Sequence, residues 1–377
     1  MVGLKSIYLI FIKMMNSMLG ALVGDAAGAT LEFCHKEITE EMALKAMTMP
    51  GGGNMGVGPG QITDDGELTL TLWRSFNSID TTHLAPIIDC FSFETDSVWG
   101  YALETVSSNA SDLSKWTCQM PISLTLMKGY RDWYKSLPFD MGMTCNIAFE
   151  VINDFLNNQN IHTIQDCKDL IKTSNKDSEA NGALMRATAI ATWIASITNA
   201  TIKMGTEYAK GDARLSHPSI VCQEVNAIYV FAIINILKGT TPQETLELTN
   251  NFVNNEVTSD KVKHWYFEES LDISNMDATK QIGHVRWGFV MAIYFLRNPH
   301  ISFEESIKIT LMKGGDTDTN AAIVGGMVGA YQKIPEYMLR PVLDFDCTVD
   351  GKYHVRPAEY SVKKVIGLKM NHKIVIR

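Results

Sequence analysis

Basic residues are the minority charge in this chain. Against 42 Asp and Glu stand 33 Lys and Arg, leaving a net charge of -9 over 377 residues. A nucleic-acid backbone needs a basic face, so the balance argues against such a partner. A phosphate-bearing small molecule stays open, because local donors and metal can offset its charge. Cysteine is scarce: seven residues, an odd number, with no C-x-x-C pair. That pattern argues against a disulfide framework and a cysteine-built zinc site, and reads as reduced thiols in a cytoplasmic protein. Low-complexity tracts and internal repeats are missing too. The apolar run Ile7 to Ile12, flanked by Lys5 and Lys13, is too short to span a bilayer, and no clean cleavage site follows it. It reads as the start of a core helix, with no membrane partner expected; Met14 or Met15 are alternative starts.

What remains is a chain that is 46% hydrophobic, enough for a large core. Helical periodicity runs through Leu184 to Ile197, Val221 to Leu237, Val285 to Leu296 and Ala321 to Tyr331. Polar connections such as Asn157 to Asn160 and Asn250 to Asn255 read as loops. A glycine-rich loop runs from Gly51 to Gly60. The expectation is an all-α domain over 1–345. A small extension over 346–377 is irregular or forms short strands, around Tyr353-His354-Val355 and Ile374-Val375-Ile376. Two helices carry glycine stripes: Gly20, Gly24 and Gly28 on the first, Gly325 and Gly329 on a late one. Glycine costs about 1 kcal/mol against alanine in a helix interior, so a stripe needs a reason. Close packing of both glycine faces in a central bundle supplies one.

Two acidic segments each open a helix. Thr63-Asp64-Asp65-Gly66-Glu67 also fits a capping box built on Asp64 and Glu67. That accounts for one carboxylate and leaves the adjacent one unexplained. In Gly314-Gly315-Asp316-Thr317-Asp318-Thr319, Asp318 or Thr319 fits a plain N-cap. The two glycines allow a sharp turn and a close approach, and alternating aspartates in an extended stretch point the same way. Oxygen-only ligands favour Mg²⁺ or Mn²⁺ over Zn²⁺. Asp64, Asp65, Asp316 and Asp318 carry four negative charges, which two divalent ions cancel.

At these residues the chain resembles the ADP-ribosylglycohydrolase family, from about Gly20 to Pro335 and with motif order kept. Gly20 to Phe33 resembles the opening helix, and the two acidic segments resemble the two metal motifs. Pro138 to Thr144 resembles a segment that carries a catalytic Asp. Asn181-Gly182-Ala183-Leu184-Met185-Arg186 resembles the diphosphate loop, and Leu215-Ser216-His217-Pro218 the segment whose His lies near bound ADP-ribose. The resemblance implies a compact orthogonal bundle of helices and two Mg²⁺ or Mn²⁺ ions. It implies hydrolysis of the bond between the distal ribose of ADP-ribose and a modified side chain, arginine favoured, or a small acceptor. Carried over by residue, Thr63, Asp64, Asp65, Asp316, Asp318 and Thr319 ligate metal. Asp140 and Glu32 are the candidate catalytic carboxylates, Asp140 as acid or base and Glu32 placing water or gating. Ser178, Asn181, Gly182 and His217 face the substrate, and a monomer is expected.

Each of these residues also has a plainer role open to it. Glu32 fits a partner for a helix end, Asp140 a turn former, and His217 a structural histidine. Arg186 fits either a phosphate or a buried aspartate. The family's diphosphate loop is richer in glycine, whereas here Glu179 sits in it and would oppose phosphate oxygens unless it turns away. An added segment covers roughly 79–120. Two rivals share the aspartates: a two-metal phosphoesterase, and an ADP-ribose reader or structural protein without turnover.

Overall fold

The computed structural model describes residues 2–79 and 122–366 apart from 158, 160, 199, 350 and 352, with side chains from residue 11 onward. The added segment and the Ile374-Val375-Ile376 stretch lie outside the described residues. The fold is all-α. Its helices are α1 (Val2–Gly28), α2 (Glu40–Met47), α3 (Asp64–Asn77), α4 (Ile122–Lys135), α5 (Met143–Leu156), α6 (Ile164–Asn175), α7 (Thr188–Ser196) and α8 (Ile202–Arg214). They continue with α9 (Ile220–Leu237), α10 (Pro242–Glu256), α11 (Asp260–Phe267), α12 (Val285–Arg297), α13 (Phe303–Met312), α14 (Thr317–Gly329), α15 (Glu336–Asp344) and α16 (Val362–Val365). Pairing between extended segments is limited, among the described residues, to the isolated bridges Gly52–Val57 and Ala180–His284.

The glycine stripes do what their spacing predicts: α1 and α14 lie directly on one another. A Cβ on Gly20 would sit 2.2 Å from the Gly325 carbonyl oxygen, one on Gly24 1.9 Å from that of Ala321, and one on Gly28 2.4 Å from the Asp318 Cα. Polar groups tie the same seam. The Ser17 hydroxyl donates to the Gly326 carbonyl at 2.7 Å, and the Thr317 hydroxyl donates to the Gly28 carbonyl at 2.9 Å. The contact fixes where α14 begins, so Asp318 arrives at the C-terminal end of α1. Gly24→Ala is therefore expected to cost about 3 kcal/mol or more, because a backbone carbonyl cannot yield to a methyl group. Thermal unfolding without added metal reads this directly, and an unchanged Tm would count against the close-packing account.

Helix α9 has an 18-residue window with mean hydropathy 1.8, 89% buried. It is long and apolar enough to cross a membrane, but here it is a core helix covered on its sides by α7, α8, α10 and α12. The run after Lys5 belongs to α1, as expected. One local expectation fails. Asn250 to Asn255 lies inside α10, because Pro242 at its first turn and the Thr241–Glu244 capping box start the helix, while Leu246, Thr249 and Val253 hold one face down. Of the two forms expected at Tyr353-His354-Val355, irregular or short-stranded, the structure has the irregular one. Polar groups of this stretch bond to the helical body: the Gln61 side chain donates to the His354 carbonyl at 2.8 Å.

Candidate functional site

The two acidic helix starts meet at the end of the α1–α14 seam. Neither is capped by the residue before it: Thr63 precedes α3 and Asp316 precedes α14, and neither side chain makes a capping bond, the first-turn Gly66 N–H going to Asp25 instead. Elsewhere in the fold Thr39, Thr163, Thr201, Thr241, Ser259 and Ser302 all cap their helices. The carboxylates at these two starts are thus left free for other work. Asp64 and Asp65 fall in the first turn of α3, and Glu67 does not reach back as a capping box requires. Gly314 and Gly315, at φ +69° and +73°, turn the chain onto α14 through a conformation that L side chains rarely adopt. The expected extended alternation of Asp316 and Asp318 is not what aligns them: Asp318 is already helical. The turn converges them by another route.

Two groups of carboxylates share Asp318. Asp25, Asp65 and Asp318 bring one oxygen each within 4.8 Å of one another, and so do Glu32, Asp316 and Asp318. Thr63 sits among them. Its hydroxyl lies 2.8 Å from Asp25 Oδ1, 3.2 Å from Asp65 Oδ2 and 3.3 Å from Asp318 Oδ2, three acceptors for one proton. Thr319 hydrogen-bonds Asp65, Glu32 hydrogen-bonds Asp318, and Asp140 hydrogen-bonds Asp64. The Asn181 amide donates to Asp316 Oδ2 at 2.7 Å. The fold therefore gathers Thr63, Asp64, Asp65, Asp316, Asp318, Thr319, Glu32 and Asp140 into one place.

Asp25 is the member the sequence did not single out. It is fully buried and accepts from the Thr63 N–H, the Thr63 hydroxyl and, at 2.8 Å, the Gly66 N–H. Those bonds occupy both its oxygens and brace the first turn of α3. One signal was available: its helical neighbours Ala21, Leu22, Gly28 and Ala29 offer no partner for a charge.

Burial and crowding set the electrostatics. Asp64, Asp65 and Asp318 are pushed well above the usual carboxylate range, by desolvation first and by neighbouring carboxylates second. Glu32 is raised to about 8 by burial and then by Asp316 and Asp140. Asp25 rises to about 7, burial outweighing its hydrogen bonds, and Asp140 is raised by burial as well. Such a set holds either protons or cations. Two buried oxygens, Asp65 Oδ1 and Glu32 Oε2, have no hydrogen-bond partner, which is costly unless something else meets them. Hard oxygen donors in this number suit Mg²⁺ or Mn²⁺.

Beside the acids runs the loop from Ser178 to Gly182. It is zipped to the segment before α12: the Val285 N–H donates to the Glu179 carbonyl and the Asn181 N–H to the Gly283 carbonyl, both at 2.9 Å. The Ser178 and Thr144 hydroxyls bond at 2.9 Å. Glu179 does not stand alone. Lys261 Nζ lies 2.5 Å and His284 Nε2 3.1 Å from its carboxylate. His217 is buried behind Gly182, where a Cβ would come within 2.9 Å of the imidazole Cε1. Burial and then the Arg186 guanidinium lower its pKa to about 3, so it is neutral. Arg186 serves the fold: fully buried, it pairs with Asp212 at 2.9 Å and donates to the Gly182 carbonyl and the Ser216 hydroxyl.

Comparison with known proteins decides the family. The ADP-ribosylglycohydrolase profile matches residues 10–358. The chain belongs to the ADP-ribosylglycohydrolase family. An ADP-ribosyl glycohydrolase named from Acanthamoeba polyphaga mimivirus is 24% identical over 370 residues, covering 93% of this chain and 96% of that protein. ADP-ribosyl-[dinitrogen reductase] glycohydrolase of Rhodospirillum rubrum is 42% identical over 81 residues, 21% of this chain and 27% of its own length. A solved ADP-ribosylglycohydrolase-related protein complex has the same fold, with TM-score 0.61 and 18% identity over 94% of this chain and 96% of that one. Membership of this family supports hydrolysis of ADP-ribose conjugates.

Proposed function

We propose that the chain is a binuclear Mg²⁺- or Mn²⁺-dependent glycohydrolase. It cleaves the bond between the distal ribose of ADP-ribose and a protein side chain, with arginine preferred. The observation that carries this reading is the convergence of carboxylates from two helix starts, with orphaned buried oxygens on Asp65 and Glu32, beside the loop at Asn181. Thr63, Asp64, Asp65, Asp316, Asp318 and Thr319 would hold the two ions, which supply Lewis acidity and a fixed orientation for ribose hydroxyls. The transition state places positive charge on the ribose ring, and the surrounding carboxylates favour it. Asp140, half-buried and favoured in its neutral form by burial, protonates the leaving nitrogen; Glu32 orients the water. We place this activity on a monomer in the cytoplasm, in keeping with free thiols at Cys34, Cys145, Cys167, Cys222 and Cys347.

The test is product release from matched ADP-ribosyl-arginine and ADP-ribosyl-serine peptides and a phosphodiester, with Mg²⁺, with Mn²⁺ and in EDTA. Metal-dependent release of ADP-ribose from the arginine peptide is expected. Cleavage of the phosphodiester alone would overturn the reading, and binding without turnover would favour a reader.

Lys261 gives the diphosphate subsite its cation in this reading. Lys261 is held by Glu179, two residues before Asn181 in the loop bridged to the segment at His284, and in this reading its ammonium turns to the diphosphate when substrate binds. This arrangement removes the repulsion expected of Glu179. Lys261→Met should weaken ADP-ribose binding about tenfold, or ~1.4 kcal/mol, while adenosine binding stays constant. Calorimetric titration of both ligands checks this, and an unchanged affinity for ADP-ribose removes Lys261 from the subsite.

A further inference from the structure

The residues after 346, which the family match includes as far as 358, reach back beside the site. Arg356 is 4% exposed. Its guanidinium grips both oxygens of Glu67, Nε to Oε1 and Nη2 to Oε2, each at 2.8 Å. The other edge donates to the Ser136 carbonyl at 2.8 Å, the Leu137 carbonyl at 3.1 Å and the Ser136 hydroxyl at 2.7 Å. Glu67 follows Asp65 by two residues in the first turns of α3; Ser136 and Leu137 begin the loop that carries Asp140. One planar group thus joins the two segments whose carboxylates, Asp64 and Asp140, meet in the site.

The loop it holds does not rest easily by itself. Leu137 has φ +54° and is 83% exposed, a left-handed conformation that L side chains disfavour. No side-chain burial offsets this; its N–H donates to the Tyr134 carbonyl at 3.3 Å, and the Arg356 bond to its own carbonyl is the second restraint. Two residues before Arg356, His354 makes a second hold. Its ring stacks on Phe139 at 4.0 Å and 7°, and its Nε2 lies 2.7 Å from the Met55 carbonyl oxygen. Phe139 is the immediate neighbour of Asp140.

We infer that His354 and Arg356 are positioning residues for hydrolysis, a C-terminal clamp that sets Asp140 against Asp64. The inference rests on the role given above to Asp140. Misplacing a reacting group by 1 Å can cost on the order of 10²-fold in rate, and a lysine cannot hold Glu67 in a fork while reaching two carbonyls. Arg356→Lys in the full-length protein should therefore lower kcat for ADP-ribose release by about 10–100-fold. KM should stay within about threefold and Mn²⁺ stoichiometry should be unchanged, because Arg356 touches neither substrate nor ligand positions.

The deciding measurement is a double-mutant cycle with Asp140→Asn, read by single turnover at excess enzyme. With no carboxylate left to misplace, Arg356→Lys should remove nothing further in that background. The same fold-loss in both backgrounds, or full kcat in Arg356→Lys alone, would overturn the clamp while leaving the proposed function standing. Full activity of Asp140→Asn would remove Asp140 from the mechanism and overturn the clamp with it, while metal-dependent release of ADP-ribose, read separately, still tests the proposed function. Should Arg356→Lys fail to fold, His354→Ala runs the same cycle, with an expected loss of about 3–10-fold that vanishes in the Asp140→Asn background.

Discussion

Asp318→Ala is expected to lower turnover by about 10³-fold, equivalent to roughly 4 kcal/mol of transition-state stabilisation. It is also expected to abolish the thermal response to divalent metal. Asp318 is the one residue common to both carboxylate groups, and it is buried to 1% exposure. Its loss removes a donor from two positions at once. In the unaltered protein, metal at a thousandfold excess over Kd should add about 4 kcal/mol per ion to stability, seen as a rise in Tm that EDTA reverses. Asp318→Ala should show no such rise. In EDTA it should melt at or above the unaltered chain, because one crowded carboxylate is gone. A Tm indifferent to Mg²⁺, Mn²⁺ and EDTA in the unaltered protein would end the binuclear reading.

The metal-free protein should also show a pH dependence of definite sign. Asp25 is raised to about 7 and Glu32 to about 8, so the folded state holds protons that the unfolded chain has released. Stability from these groups is complete below the ordinary carboxylate range and is lost as pH rises through about 7 and about 8. Denaturant unfolding in EDTA across that window reads the decline, and saturating Mg²⁺ should flatten it.

Asp140→Asn carries the second large effect. A positioned acid or base contributes typically about 10²–10⁴-fold, and a loss in that range in kcat is expected. Metal binding should survive: Asp140 hydrogen-bonds Asp64 and stands outside both carboxylate groups that share Asp318. ADP-ribose affinity should hold, since the substitution keeps the bulk of a side chain that burial already favours in its neutral form. Mn²⁺ titration with parallel single-turnover kinetics separates the two properties. Full turnover would pass the role to Glu32, whose second oxygen is buried without a partner.

Much of the site was legible because its chemistry is local in sequence. Two aspartate pairs, each opening a helix, announce a cluster of hard oxygen donors without knowledge of the fold. Gly314-Gly315 before Asp316 marks a turn that no other residue makes cheaply. The glycine stripes named their own packing, since residues four apart share a helix face and an unfilled face invites a close neighbour. Where the reading failed, a tertiary contact had overridden a local preference. The Asn-rich stretch of α10 became helix because Leu246 and Val253 had a core to face. Of the two forms open to the tail near His354, it took the irregular one because its polar groups found partners on the helical body rather than on a neighbouring strand.

The sequence by itself determined the element type, the family and the kinds of donor at the site, because periodicity and adjacent motifs are short-range properties. Only the tertiary structure decided that Asp25 braces Thr63, that Lys261 and His284 neutralise Glu179, and that Arg356 spans Glu67 and the Asp140 loop. Arg356 and Glu67 are separated by 289 residues, and Lys261 and Glu179 by 82. A charge's partner at such distances is set by how helices pack, which no local pattern encodes.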